Sequence, residues 1–158
     1  HKLDVVLADS PINPTLNIRA YNHLLGESGI TFFATPDQAE TLASDFPASL
    51  DGTRMLMPSG GSTLRRNLEA WFERNGINPL VVAEFEDRAL MKAFGERGTG
   101  VFTSPSAVEQ DVLDKYGVTT IGRTQELTER FYLISAERRI KHPAVSAITE
   151  AARSALFA

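Results

Sequence analysis

Cysteine is absent from the 158 residues. Disulfides, thiolate metal sites and a cysteine nucleophile are thereby excluded. An excess of positive charge is missing as well, because 16 Lys and Arg stand against 20 Asp and Glu, a net charge of −4. This segment is therefore not expected to grip DNA itself, since a nucleic-acid surface needs a basic patch to displace counterions. No apolar run approaches the roughly 20 residues of a membrane span, and no signal peptide opens the chain. A cytoplasmic location is the default expectation. There is no internal repeat, no low-complexity stretch, no Gly-x-Ser-x-Gly elbow and no His-Glu-x-x-His metal motif. The three histidines, His1, His23 and His142, are scattered. Nothing assembles a nucleophile, a base and an oxyanion hole, so neither catalysis nor a cofactor is expected.

What remains is an ordinary globular composition, 42% hydrophobic and 23% charged, and a length that suits one domain with a proper core. A strand-like run opens at Leu3, two residues after His1, which reads as the interior of a longer protein. Leu3 to Ala8, Ile30 to Thr35, Arg54 to Met57, Leu80 to Phe85, Gly100 to Thr103, Val118 to Ile121 and Phe131 to Ser135 read as strands. Ile18 to Leu25 is ambiguous. Helices are expected over Asp37 to Ser44, with Thr35 or Asp37 as cap, and after Ser62, where Leu64, Leu68, Trp71 and Phe72 share one face. That second helix stops at Asn75-Gly76. A third follows Asp87 as cap, with Leu90, Met91 and Phe94 as its apolar positions. A fourth starts at Ser104-Pro105, since proline suits a first helical position. The last runs from Ala144 to Phe157, with Ile148, Ala152 and Leu156 spaced by four. Strand and helix in alternation predict an α/β protein with parallel sheets.

The most informative stretch is Ser59-Gly60-Gly61-Ser62-Thr63, between a strand and a helix. A helix N-terminus presents free N–H groups, and its dipole favours an anion by about 0.3–1 kcal/mol. Glycines let a ligand approach the backbone, so carboxylate or phosphate capture is one reading. The other is that Ser62 only caps the helix and the glycines only make a turn. No Gly-Lys-Ser/Thr follows, so this is not a Walker loop. Thr103-Ser104-Pro105-Ser106 is a second strand-to-helix junction with exposed hydroxyls, which are either caps or partners of the first loop if the two face each other. Glu84, Glu86 and Asp87 offer oxygens for a hard cation, although one cap and a solvated strand edge explain them as well. Gly95, Gly98 and Gly100 follow a helix and precede a strand, the reverse of a dinucleotide fingerprint, and read as turn glycines.

With these segments placed, the chain resembles the effector-binding domain of a LysR-type transcriptional regulator along its whole length. The segments that carry the resemblance are HKLDVVLADSP, GITFFATP, LMPSGGSTLRRNLEAWFERNGINP, EFEDRALMKAFGERGTGVFTSPSAV and RFYLISAERRIKHPAVSAI. Within the family, DRALMKAFG and AERRIKHPAV are similar to activators of a sodium/proton antiporter gene.

The resemblance implies a two-lobed fold like that of type 2 periplasmic solute-binding proteins. Lobe I would comprise residues 1–33, lacking its N-terminal strands and helix, with a return segment at 132–158. Lobe II would span 34–131. Hinge residues would be Phe33, Ala34 and Thr35 on one crossover and Phe131, Tyr132 and Leu133 on the other. A small-molecule or ion effector in the interlobe cleft would meet Ser59 to Thr63, Thr103 and Ser104 on one lobe and Asp9 and Ser10 on the other. The resemblance further implies a homodimer or homotetramer that contacts promoter DNA through a winged helix-turn-helix outside this chain, without a membrane partner. The regulated gene would be that of the antiporter, in response to sodium or pH. A stand-alone solute-binding protein of a transport system has the same fold and is the alternative.

Overall fold

A computed structural model describes residues 5–13, 20–136, 139–140 and 142–157. Leu3, Asp4 and Ile18, which belong to the first two readings above, lie outside the described residues. The chain forms two compact units, one from His1–Ser28 with Glu129–Ala158 and one from Gly29–Thr128. Two long strands, β2 (Tyr21–Ala34) and β6 (Thr119–Ser135), each run through both. In the strand order β1-β6-β2-β5 they are neighbours.

In the first unit, β1 (Val5–Ala8) pairs antiparallel with the end of β6, from Val5 opposite Ser135 to Ala8 opposite Tyr132. Helix α5 (Pro143–Ala151) begins where Pro143 fixes φ and the Nδ1 of His142 accepts the Ala144 N–H at 3.2 Å. It ends in a π-helical turn, Ala152–Leu156. The small core is Leu25, Leu133 and Val145, with Phe131 and Phe157 packed against it. Those two rings stack at 5.4 Å, and the Phe157 ring lies directly against Gly26, where a Cβ has no room. Of the apolar stripe read from the sequence, only Ala152 packs against the core. Ile148 and Leu156 are each 43% exposed, whereas Val145 and Thr149 are buried. Spacing by four fits either face of this helix, and only the packed sheet chooses between them.

In the second unit, β3 (Arg54–Pro58) runs parallel to β4 (Leu80–Phe85), with an irregularity between Met55 and Leu56. A parallel bridge from Met55 to Val101 joins β3 to the approach of β5 (Phe102–Pro105). Strand β5 in turn pairs antiparallel with β2, Phe32 opposite Thr103 and Thr31 opposite Ser104. The expected parallel pairing thus holds around β3, while β1 and β5 pair antiparallel. Alternation along these strands sorts the side chains into two clusters. Phe32, Met55, Met57 and Val101 meet α2 (Thr63–Arg74) through Leu64, Leu68, Trp71 and Phe72. Phe33, Leu56 and Phe102 meet α3 (Arg88–Glu96) and α4 (Glu109–Lys115) through Met91 and Val112. Helix α1 (Pro36–Leu42) starts at Thr35, whose side chain makes no cap hydrogen bond.

Two segments differ from the sequence reading. The strands read at Val118 to Ile121 and Phe131 to Ser135 are one strand from Thr119, with Val118 just before it, because the polar residues between them also lie beside β2. Ser104-Pro105 does not open a helix; Pro105 ends β5, a 3-10 turn follows over Ser106–Val108, and α4 starts at Glu109. Pairing with β2 up to Ile30 opposite Pro105 keeps that segment extended.

Candidate functional site

The loop after β3 is fixed by its backbone. The Ser59 N–H donates to the Phe85 carbonyl at 2.9 Å, and the Ser62 N–H returns to the Ser59 carbonyl at 3.2 Å. The Ser62 hydroxyl donates to the same carbonyl and accepts the Arg65 N–H at 3.1 Å, so Ser62 does cap α2. Gly60 and Gly61 are a different matter. Neither has a left-handed φ, and a Cβ at either would meet nothing within 4 Å. The turn does not require glycine, so a tight turn alone does not account for the pair. Their absent side chains leave the first turn of α2 open to solvent.

Arg65 ties this loop down. Its guanidinium donates to the Pro58 carbonyl at 2.9 Å, to Glu84 at 2.8 Å and to Glu69 at 2.6 Å. Burial works against its charge, but the hydrogen bonds and charges of Glu69 and Glu84 outweigh that and raise its pKa. With two carboxylates beside it, Arg65 holds the loop without adding net positive charge.

Thr103 and Ser104 were read as exposed hydroxyls, and the structure corrects this. Each is only 2% exposed, because β2 and the flanking helices cover β5. Neither hydroxyl has a hydrogen-bond partner among the described residues. A buried unpaired hydroxyl is destabilising by roughly 1–3 kcal/mol. The parallel bridge from Met55 to Val101 sets Thr103 level with Met57, so the ends of β3 and β5 lie at one edge of the unit. The loop at 59–63 and the two buried hydroxyls therefore share that edge.

Other expected residues fall as follows. Asp9 and Ser10 follow β1 in the other unit. Phe33, Ala34 and Thr35 close β2 within the second unit, and Phe131, Tyr132 and Leu133 lie within the first; the chain passes between units at 28–29 and 128–129. The acidic trio is partly committed, since Glu84 pairs with Arg65 and Asp87 caps α3 through the N–H groups of Ala89 and Leu90. Among the described residues no group of three or more His, Cys, Asp or Glu could hold a metal ion, and no helix is long and apolar enough to cross a membrane.

Sequence reasoning missed Glu109. Its carboxylate accepts a two-pronged contact from Arg123, at 2.8 Å from Nη2 and 2.8 Å from Nε, and a hydrogen bond from Thr120 at 3.2 Å. Burial pushes its pKa up, but Arg123, Thr31 and Thr120 together draw it below the ordinary value. No motif marks this pair, because its members come from α4 and β6. The folded value lies below the unfolded one, so the stabilisation is complete above about pH 4.3 and is lost as pH falls through the folded value. Arg123 is 59% exposed, and solvent screening keeps the contribution to about 0.2–1 kcal/mol. Urea melts between neutral pH and pH 3 should show Glu109→Gln losing stability at pH 7 and converging on the parent in acid. Parallel curves would count against the pair.

Comparison with known proteins adds the following. A family model described as LysR substrate binding domain matches residues 1–156. The transcriptional activator protein NhaR of Escherichia coli (strain K12) is 39% identical over 157 residues, which cover 99% of this chain and 51% of that protein. The chain thus spans about half the length of the curated relatives it matches. The effector domain of the regulator AmpR of Pseudomonas aeruginosa is similar in fold, with a TM-score of 0.68 at 18% identity over 98% of this chain and 72% of that one. So is the Synechocystis PCC6803 CcmR regulatory domain in complex with 2-PG, with a TM-score of 0.67 at 14% identity over 97% and 73%.

Proposed function

Because the chain belongs to the LysR substrate-binding domain family, and so is an effector-binding domain of the type 2 periplasmic-binding-protein-like fold, we propose that its effector is a small anion held at the edge formed by Ser59 to Thr63, Thr103 and Ser104. The relatives matched by sequence are transcriptional activators, which supports a regulator over a transport protein. In this reading the effector biases the equilibrium between a liganded and a free arrangement of the domain. A ligand shifts that equilibrium only by its differential affinity for the two.

One observation carries the reading: two buried hydroxyls without partners stand beside a helix N-terminus left open by two glycines. An oxyanion at the N-terminus of α2 accepts from its amides and from the Thr103 hydroxyl, which shares the strand face of Val101, while Ser104 lies on the opposite face of β5. The complex of CcmR with 2-PG is a fold neighbour's precedent for a small effector.

The whole regulator, we propose, binds promoter DNA through a segment outside this chain and activates a sodium/proton antiporter gene in response to sodium or pH. Sodium does not belong at residues 59–63, where the helix dipole disfavours a cation by about 0.3–1 kcal/mol.

Calorimetric titration with phosphate and small carboxylates, and with sodium against potassium, tests both parts. Thr103→Val should raise the stability of the free chain, since it removes an unpaired buried hydroxyl. It should also weaken anion binding about tenfold. An unchanged affinity would remove Thr103 from the site, and anion heats that persist only with sodium present would make the cation the primary ligand.

A further inference from the structure

A cavity of about 250 Å³ lies in the second unit, lined by Gln38, Thr41 and Leu42 of α1, by Thr53 and Arg54, and by Val101. Val101 is buried and Leu42 packs on the same core cluster, so one wall is aliphatic. Arg54 opens β3 and Pro58 ends it, which puts about 13 Å of strand between this cavity and the loop at 59–63.

Two side chains of the cavity are anchored on one turn. Gln38 Nε2 donates to the Gly98 carbonyl at 3.1 Å, and Arg54 Nε donates to the Thr99 carbonyl at 3.2 Å. Those carbonyls belong to successive residues, so the carboxamide and the guanidinium stand side by side. Gly98 permits the turn with φ +82°, a left-handed value that suits glycine. Arg54 is fixed a second time, since its own carbonyl accepts the Val101 N–H at 2.9 Å.

The bond to Gly98 also sets the direction of the Gln38 amide, because the reverse orientation would bring oxygen against oxygen. Gln38 Oε1 is buried and has no hydrogen-bond partner among the described residues. Arg54 commits only Nε to Thr99, and among the described residues no carboxylate pairs with it. A buried acceptor therefore stands beside a cation, above an aliphatic wall. A simple anion would leave the acceptor unmet, and a simple amine would meet the positive guanidinium.

We propose that this cavity binds a small aliphatic α-amino acid, at a site separate from the anion edge. The ammonium donates to Gln38 Oε1, the carboxylate accepts from the terminal nitrogens of Arg54, and the side chain lies on Leu42 and Val101. An α-amino acid carries its two charged groups on one carbon, which suits two heads anchored on neighbouring carbonyls. The volume falls below the roughly 300–1,000 Å³ of pockets for larger ligands, and this restricts the side chain to a small one.

Calorimetric titration of the chain with L-valine, isovalerate and isobutylamine tests the assignment. L-Valine should bind saturably. Each of the other two lacks one charged group and should bind at least about tenfold more weakly. Arg54→Gln and Gln38→Leu should each lower the valine affinity about tenfold, with an unchanged circular dichroism spectrum. Thr41→Phe, at the exposed rim, leaves both polar groups in place but fills the cavity, and should abolish the heat. Thr103→Val should leave valine binding as it was. No saturable valine heat, either fragment binding as tightly as valine, or an affinity insensitive to both Gln38→Leu and Thr41→Phe would overturn the proposal. Loss of valine binding in Thr103→Val would overturn it as well, by placing the amino acid at the anion edge.

Discussion

Trp71→Ala should be destabilising by about 3–5 kcal/mol, read as a shift of the urea midpoint at constant slope. Against a total of about 5–15 kcal/mol for a domain, that is a large part of the whole. The reason lies in its position. Trp71 is 1% exposed. It stacks on Phe32 with centroids 5.4 Å apart and touches Phe72 at 5.5 Å and Phe46 at 6.4 Å. Removing the indole leaves a cavity bounded by three rings and the β2–β5 ladder, which cannot collapse without opening the sheet. The indole N–H has no partner among the described residues, so Trp71→Phe loses volume but also an unpaired donor. It should cost markedly less than the alanine variant. Equal losses for the two would mean that the ring packing is not the source of the effect.

The second large effect is expected at Gly95, where alanine would ordinarily help a helix by about 1 kcal/mol. Here the new Cβ falls on the ring of Phe102, well inside contact distance. Phe102 is wholly buried and stacked on Phe33 at 5.3 Å, so it has nowhere to go. Overpacking of this kind costs about 1–3 kcal/mol, and the helix gain offsets only part of it. Gly122→Ala is the contrast. Its Cβ meets the ring of Phe46, which is only partly buried and can swing outward. Thermal melts should therefore rank Gly95→Ala well below Gly122→Ala. A reversed order would place the strain at the wrong glycine.

The sequence carried the parts of this fold that are decided locally. Asp87 is expected as a cap from residue type and position alone, capping is one of the two readings of Ser62, and each makes a cap hydrogen bond. The stop at Asn75-Gly76 follows the same logic, with Gly76 at φ +65°. What depends on distant partners was not legible. The polar run from Gly122 to Arg130 carries no strand signal of its own and is extended because β2 lies beside it. The burial of Thr103 and Ser104 likewise comes from β2, so two hydroxyls that looked solvated turn out to be the least solvated part of the candidate site. Helix α3 shows the limit of periodicity. Leu90, Met91 and Phe94 read alike as apolar positions, yet only Met91 goes inward. Glu109 and Arg123 were invisible for the same reason, since an ion pair between a helix and a later strand has no spacing rule.

The routing of β2 and β6 through both units has a mechanical corollary. Residues Gly29–Thr128 form one continuous insert, while the remainder is stitched together from two ends of the chain. Its β1–β6 ladder joins Val5 to Ser135. With the insert folded, those ends are delivered side by side by neighbouring strands. With it melted, the two pieces of the stitched unit are joined only by a slack loop of 100 residues, whose closure is an entropic penalty of roughly 4 kcal/mol. A unit whose core rests on Leu25, Leu133 and Val145 has little to set against that. The stitched unit therefore borrows its stability from the insert, and a lesion at Trp71 loosens residues it never touches.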